Sequence, residues 1–393
     1  MIKKLLLTLF FLATGYLLLH NITIYNPKNG FDGEGHVSYI NYILQNKKLP
    51  LPHEGWQLNQ PPIFYLLAAP LQASHLKPQV INFLSFFIIL FLLFRFTKSY
   101  IAVLGFSSLP VAIYLVPLIT NEYLSGLFGI VILLVLLKIS TSGEKGNHLY
   151  TLLVIFFSLG FYTKVTNLMF LPLIPLALFL QKNKKWISRS AVIVSICLAM
   201  ASPLMINNIL RYGKPLVIND DFVEFDREKA QSREISFFLD PSWIFHPDLY
   251  TAHDYSFAGG MWNTFWHDGE HVATPEDTSD KRPLSLWLLG FPLAALSIFG
   301  LVRFIKKHKQ QGIILISYLV LSLAVLILYN FRLPFHNVLK AFFVFPVVVP
   351  YVLGLVEASK YKKLSFAVTL LLMVQYITMC TWLYIQHWWY VAQ

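Results

Sequence analysis

Charge is what this chain has least of. Only 13% of its 393 residues are Asp, Glu, Lys or Arg, about half the share that soluble globular domains carry, while 56% are hydrophobic. That shortage excludes a soluble fold. Cysteine is almost absent: Cys197 and Cys380 both fall inside apolar segments, so a disulfide framework and a cysteine-based metal spacing are excluded too. There is no internal repeat, no low-complexity tract and no polar stretch large enough for a separate soluble domain. Acidic residues are outnumbered by basic ones, 20 to 31, for a net charge of +11. The Lys and Arg sit in small clusters between apolar runs and form no continuous basic face, which argues against a nucleic-acid partner.

What is present is a succession of apolar runs, each of the length needed to cross ~30 Å of hydrocarbon. The expected fold is an all-α polytopic membrane protein, one membrane-embedded domain over 1–393 with about eleven transmembrane helices. The spans are expected near 5–19, 79–94, 101–118, 123–137, 150–163, 168–180, 187–205, 284–302, 313–329, 338–356 and 364–385. The first follows Lys3 and Lys4 and lacks a small-residue cleavage site, so it reads as an uncleaved span. With the N-terminus inside, every alternate turn is basic: Arg95 and Lys98, Lys138 and Lys145, 182–185, 303–309 and 360–363, as the positive-inside rule requires. The other side receives two long loops, 21–78 and 207–283, and short turns near Glu122, Lys164 and Arg332. These loops divide the chain into an N-terminal bundle, 1–206, the large loop and a C-terminal bundle, 284–393. Most Asp and Glu residues lie in the two loops, so chemistry that needs carboxylates is expected outside the cytoplasm. Trp56, Trp243, Trp262, Trp266, Trp388 and Trp389 lie near the expected boundaries and suit interfacial anchoring, with substrate stacking as the alternative.

The first loop begins Gly30-Phe31-Asp32-Gly33-Glu34-Gly35-His36 and continues to Gln60-Pro61-Pro62-Ile63-Phe64-Tyr65. If a helix starts near Asp32, its carboxylate and the His36 imidazole lie one turn apart on one face, while Glu34 points elsewhere. Such a pair could take a proton and hold the base in place; equally, Asp32 could be the helix cap and His36 an interfacial side chain. In the second loop His267-Asp268-Gly269-Glu270-His271 offers imidazoles and carboxylates to a divalent metal, but Gly269 breaks the helical spacing of a zinc motif and a solvated loop accounts for it equally well. No cofactor and no metal is assigned.

The order of these features resembles the GT-C superfamily of membrane glycosyltransferases, which holds protein O-mannosyltransferases and aminoarabinose transferases, and most closely its small bacterial members. There a first span delivers an acid to the outer face, and a Pro-Pro-aromatic segment leads to the second span, as Asp32 and 61–65 stand here. Thr120-Asn121-Glu122-Tyr123-Leu124 resembles the family's second acidic position, with Glu where many members have Asp. The segment 160–164, ending in Thr163-Lys164, resembles its Thr-Lys segment, 207–213 its Asn-rich segment, and 336–346 its late Lys-Ala-aromatic-Pro segment. The resemblance implies transfer of a sugar from a polyprenyl-phosphate donor to a glycan, lipid or protein acceptor outside the cytoplasm, with inversion, in a bacterial inner membrane. It makes Asp32 the general base. Glu34, His36 and Glu122 become substrate-facing candidates, and the cations Lys164, Arg332 and Lys340, with His336, candidates to receive the leaving phosphate. A multi-span transporter or lipid-linked sugar flippase is the rival reading; it is expected to show paired halves and broken midplane helices.

Overall fold

In hydrocarbon a chain must satisfy its backbone N–H and C=O groups internally, and a helix does this within one segment. The computed structural model describes residues 2–28, 30, 32–142, 147–182, 184–217, 233–245, 255–267, 284–332 and 339–382, with the side chains of 2–8, 284, 332 and 382 undescribed. Its described residues are mainly helical, without strands. The helices are α1 (Ile2–Ile24), α2 (Gly33–Asn46), α3 (Ile63–Ala73), α4 (Val80–Thr97), α5 (Tyr100–Ser107), α6 (Pro110–Tyr114), α7 (Glu122–Ile139), α8 (Asn147–Phe161), α9 (Leu173–Leu180), α10 (Trp186–Tyr212), α11 (Ile235–Leu239), α12 (Phe257–Trp266), α13 (Leu284–Lys307), α14 (Lys309–Arg332), α15 (Val348–Ala358) and α16 (Lys362–Trp382). Among the described residues, seven helical stretches are long and apolar enough to cross a membrane: α4, α7, α10, α13, α14, 341–358 and α16. This is an all-α membrane protein.

Two of the other expected spans, 101–118 and 168–180, are interrupted, while α1 and α8 are continuous over 5–19 and 150–161. The run expected as one span over 101–118 is two short helices, α5 and α6. Pro110 occupies the first position of α6 and Leu109 before it is extended, with φ −79° and ψ 121°, because proline crowds the preceding residue out of the helical region. The break is tolerated because it is enclosed: every residue from 105 to 137 is buried. The run expected over 168–180 is likewise a 3-10 turn, Val165–Phe170, followed by α9 after Pro172. A second 3-10 turn, Ala341–Val347, leads into α15.

Two stretches form the centre, since 89% of the apolar window is buried in both α7 and 341–358, against 22–33% in the other five. α15 meets α13 where both are narrow. A Cβ at Gly300 would lie 1.9 Å from the Gly354 carbonyl oxygen, and one at Gly354 would lie 2.1 Å from the Ser297 carbonyl oxygen, so small residues let the backbones touch. The Ser297 hydroxyl donates to the Tyr351 carbonyl across the same crossing at 2.9 Å.

Four of the five basic turns gather at one end. Gln310 Nε2 donates to the Leu180 carbonyl at 2.6 Å, Gln311 Nε2 to that of Leu137 at 3.2 Å, and Gln181 Nε2 to that of Ser142 at 3.2 Å, while Lys360 pairs with Glu357. At the opposite end the two long loops meet: His53 Nδ1 is 3.0 Å from the Tyr212 hydroxyl, and Asn59 Nδ2 donates to the Val217 carbonyl at 3.3 Å.

Candidate active site

Gly33 packs against the backbone of Lys28, an approach that only glycine permits. A Cβ on Gly33 would lie 2.6 Å from the Lys28 carbonyl oxygen, and Asp32 takes a left-handed conformation, φ 53° and ψ 20°, at the start of α2. The Asp32 carbonyl accepts the His36 N–H at 2.9 Å and closes the first turn. The carboxylate itself makes no capping bond to the helix. It accepts instead from the Trp56 indole N–H, Nε1 to Oδ1 3.3 Å. Gly35 permits that approach, since a Cβ there would lie 2.6 Å from Trp56 Cδ1 and 2.7 Å from Gln57 Cγ. Asp32 and Glu34 are exposed, and His36 is buried.

His36 is not built as the partner that holds Asp32. Its Nδ1 lies 2.7 Å from the Tyr65 hydroxyl, and its ring stacks on Tyr65, which stacks in turn on Tyr39 with centroids 3.7 Å apart. Burial lowers the imidazole to about 4, partly offset by the negative charge of Asp32 and reinforced by Lys164. Burial pushes the Tyr65 phenol the other way, well above its ordinary range. At neutral pH both groups are therefore uncharged, and the direction of the bond between the Tyr65 hydroxyl and Nδ1 follows the imidazole tautomer.

Glu122 opens α7 and is ion-paired with Lys164, both side chains nearly enclosed at 11% and 13% exposure. The Lys164 ammonium also lies 4.4 Å from the centroid of the Phe343 ring. Asn121 Nδ2 donates to Gln60 Oε1 at 3.2 Å and to the Thr163 carbonyl at 3.1 Å, and the Ile63 N–H donates to the Tyr162 carbonyl at 2.9 Å. Asn167 Nδ2 donates to Ser125 Oγ at 2.9 Å. The three sequence segments around Pro61-Pro62, Asn121-Glu122 and Thr163-Lys164 are thus stitched edge to edge. A cavity of about 10 Å³, lined in part by Ser125, Asn167 and Phe343, has room for about one water beside them.

Lys340 is buried at 4% exposure, with its ammonium 5.9 Å from the centroid of the Phe342 ring. The next residue is held from the second loop, where Thr264 Oγ1 accepts the Ala341 N–H at 2.9 Å and the Thr264 carbonyl accepts from the Tyr114 hydroxyl. Lys164, Lys340 and Asp32 all act electrostatically on Glu122, and Asp32 and Lys164 both act on His36. Five of the eight candidates consequently share one neighbourhood: two carboxylates, two ammonium groups and a neutral imidazole. Glu34 is not tied to it by any of these interactions. Arg332 ends α14 with its side chain undescribed, and His336 lies outside the described residues. Of the possible metal motif, His267 is buried at the end of α12, and 268–271 lie outside the described residues. Among the described residues no group of three His, Cys, Asp or Glu side chains is placed to hold a metal ion.

Sequence reasoning gave Trp56 to interfacial anchoring, yet its indole meets the candidate base. It assigned no role to Tyr65, Gln60 or Asn121, although each stood inside a quoted motif. The chain matches no family model, no curated protein and no solved structure.

Proposed function

We propose that this chain is a membrane glycosyltransferase that moves a sugar from a polyprenyl-phosphate donor to an acceptor on the extracytoplasmic side, in a bacterial inner membrane, with about eleven membrane-crossing segments. The observation that carries the reading is the placement of Asp32: an exposed carboxylate not spent on capping its helix, within electrostatic reach of the buried Glu122, on which Lys164 and Lys340 also act. Asp32 takes the proton of the acceptor hydroxyl, and the acceptor oxygen attacks the anomeric carbon from the face opposite the phosphate. The carbon–oxygen bond to phosphate breaks with its electron pair leaving on the phosphate oxygen, where a cation stabilises the growing charge. Lys340 is assigned that role. Lys164 is engaged by Glu122, so it acts by keeping the buried acid matched, and His36 stays a neutral imidazole.

The test is a purified protein assayed against a panel of polyprenyl-phosphate sugars for released lipid phosphate. Release that depends on acceptor and is lost in Asp32→Asn supports the proposal; no release with any donor refutes it. One observation favours the transporter or flippase reading, the enclosed break between α5 and α6, since transporters build their sites from interrupted helices. That reading predicts movement of an intact lipid-linked sugar across vesicles with no lipid phosphate released.

A further inference from the structure

α13 and α14 are 24 residues each and turn into one another at His308, so Lys306, Lys307, His308 and Lys309 follow in sequence at the hairpin tip. The positive-inside rule asks only that such cations lie on one side, where long side chains reach the headgroups. Here they wall a cleft. Together with Gln310 and with Thr141 from beyond the end of α7, they border an open cleft of about 360 Å³, and no carboxylate lines it. The cleft is held in shape by Gln310 and Gln311, whose amides tie the start of α14 to the Leu180 and Leu137 carbonyls at 2.6 and 3.2 Å. Glu357, at the end of α15, pairs with Lys360 and lies 3.9 Å from Lys307, so one carboxylate faces two lysines. His308, between the two spans, is held below the ordinary imidazole range by burial and then by the charge of Lys307, with Glu357 opposing and Lys360 adding to it. The local field is positive. The first turn of α14 adds backbone N–H groups that have no acceptor within the helix.

We propose that this cleft binds a phosphate ester, the headgroup of an anionic phospholipid in the leaflet at the basic end of the bundle. A lipid is favoured over a soluble phosphate because apolar surface continues from the cleft: Ile313 and Ile316 on the next turns of α14 are 41% and 45% exposed, a track for an acyl chain. The site lies at the opposite end from the candidate active site and is independent of the chemistry proposed there.

The experiment is native mass spectrometry of the full-length protein, titrated with phosphatidylglycerol and, separately, phosphatidylcholine. A third arm measures melting of the protein in phosphatidylcholine nanodiscs with and without inorganic phosphate. Lys306→Gln/Lys307→Gln/Lys309→Gln is compared with Lys182→Gln/Lys184→Gln/Lys185→Gln, which removes three lysines of another basic turn that do not line the cleft. Each cleft lysine removed is expected to weaken phosphatidylglycerol binding about fivefold, roughly 100-fold for the triple variant, with the control triple unchanged. Thr141→Glu places a carboxylate in the cleft without removing a topology signal, and decides the matter if the first triple fails to fold; it is expected to lose phosphatidylglycerol and keep the wild-type melting temperature in phosphatidylcholine. Protection by inorganic phosphate that Thr141→Glu abolishes, with no preference for phosphatidylglycerol, keeps the phosphate site and assigns a soluble source. Equal loss in both triples, or wild-type binding by Thr141→Glu, overturns the proposal.

Discussion

Replacing Asp32 by asparagine separates a proton acceptor from a helix start. The backbone does not oppose it: at φ 53° asparagine is among the best tolerated non-glycine residues. The helix does not oppose it either, because the first turn is closed by the Asp32 carbonyl, which the substitution leaves in place, and no side-chain cap exists to be lost. The Trp56 indole sits at 3.3 Å from Oδ1 and donates to an amide oxygen as it does to a carboxylate. The expected change in stability is therefore within about 0.5 kcal/mol, as for surface substitutions without a structural role. His36 stays neutral, because the Asp32 charge is what draws its pKa upward. What asparagine cannot do is accept a proton. Loss of general-base action costs ~100- to 10,000-fold in rate, or roughly 3 to 5 kcal/mol in the barrier. Released polyprenyl phosphate, measured under single-turnover conditions beside a melting curve and a donor-binding titration, should show unchanged folding and binding with collapsed turnover. A variant that melts normally and transfers sugar at near the wild-type rate removes Asp32 from the mechanism and makes Glu122 or Glu34 the next candidate.

Lys340→Met should leave the protein folded in membranes and cut turnover strongly; if turnover persists while a phosphate analogue still binds, the leaving group is received elsewhere. Lys164→Met should act mainly on stability, because it strands the enclosed Glu122 carboxylate, a loss on the order of 3–5 kcal/mol, and the double variant Glu122→Gln/Lys164→Met should melt above the single one in detergent. For His36 the folded pKa of about 4 lies below the ordinary imidazole value of 6.5, so the unfolded chain binds the extra proton first on acidification. The stability due to its neutral form is complete above pH 6.5 and is lost as pH falls towards 4, by about 3 kcal/mol for one fully buried group; His36→Gln should flatten that part of the melting-temperature profile, and an unchanged profile would refute the assignment. Gly354→Leu should push α13 and α15 apart, since a Cβ there already lies 2.1 Å from the Ser297 carbonyl oxygen; a loss of about 1–3 kcal/mol or more should appear as reduced folded yield, and a wild-type yield would show the crossing to be looser than the structure has it.

Hydropathy and charge, which are properties of short stretches, determined the helical class, seven long spans among the eleven expected and the gathering of basic turns at one end. Those signals are local because a bilayer imposes its constraint on each segment separately: every span must be apolar and internally hydrogen-bonded, whatever its neighbours are. The break at Leu109 was legible in principle, since Pro110 forbids a continuous helix; the unbroken apolar composition of 101–118 concealed it.

The candidate site was half legible. Asp32 and His36 stood out by their spacing on one helix, and Glu122, Lys164 and Lys340 as charges at the ends of apolar runs, where charge is costly without a purpose. Which of them pair was decided only by tertiary structure. Tyr65 meets His36 across 29 residues, and Lys164 meets Glu122 across 42. No periodicity relates residues so far apart in sequence. The sequence placed Asp32 at a helix start and left its carboxylate free to be either cap or base; the left-handed conformation of Asp32, and the room that Gly35 leaves for Trp56, direct it away from its own helix. Backbone path and packing settled that orientation, because a side chain's direction follows from its φ, ψ and the neighbours it meets, and those neighbours come from elsewhere in the chain.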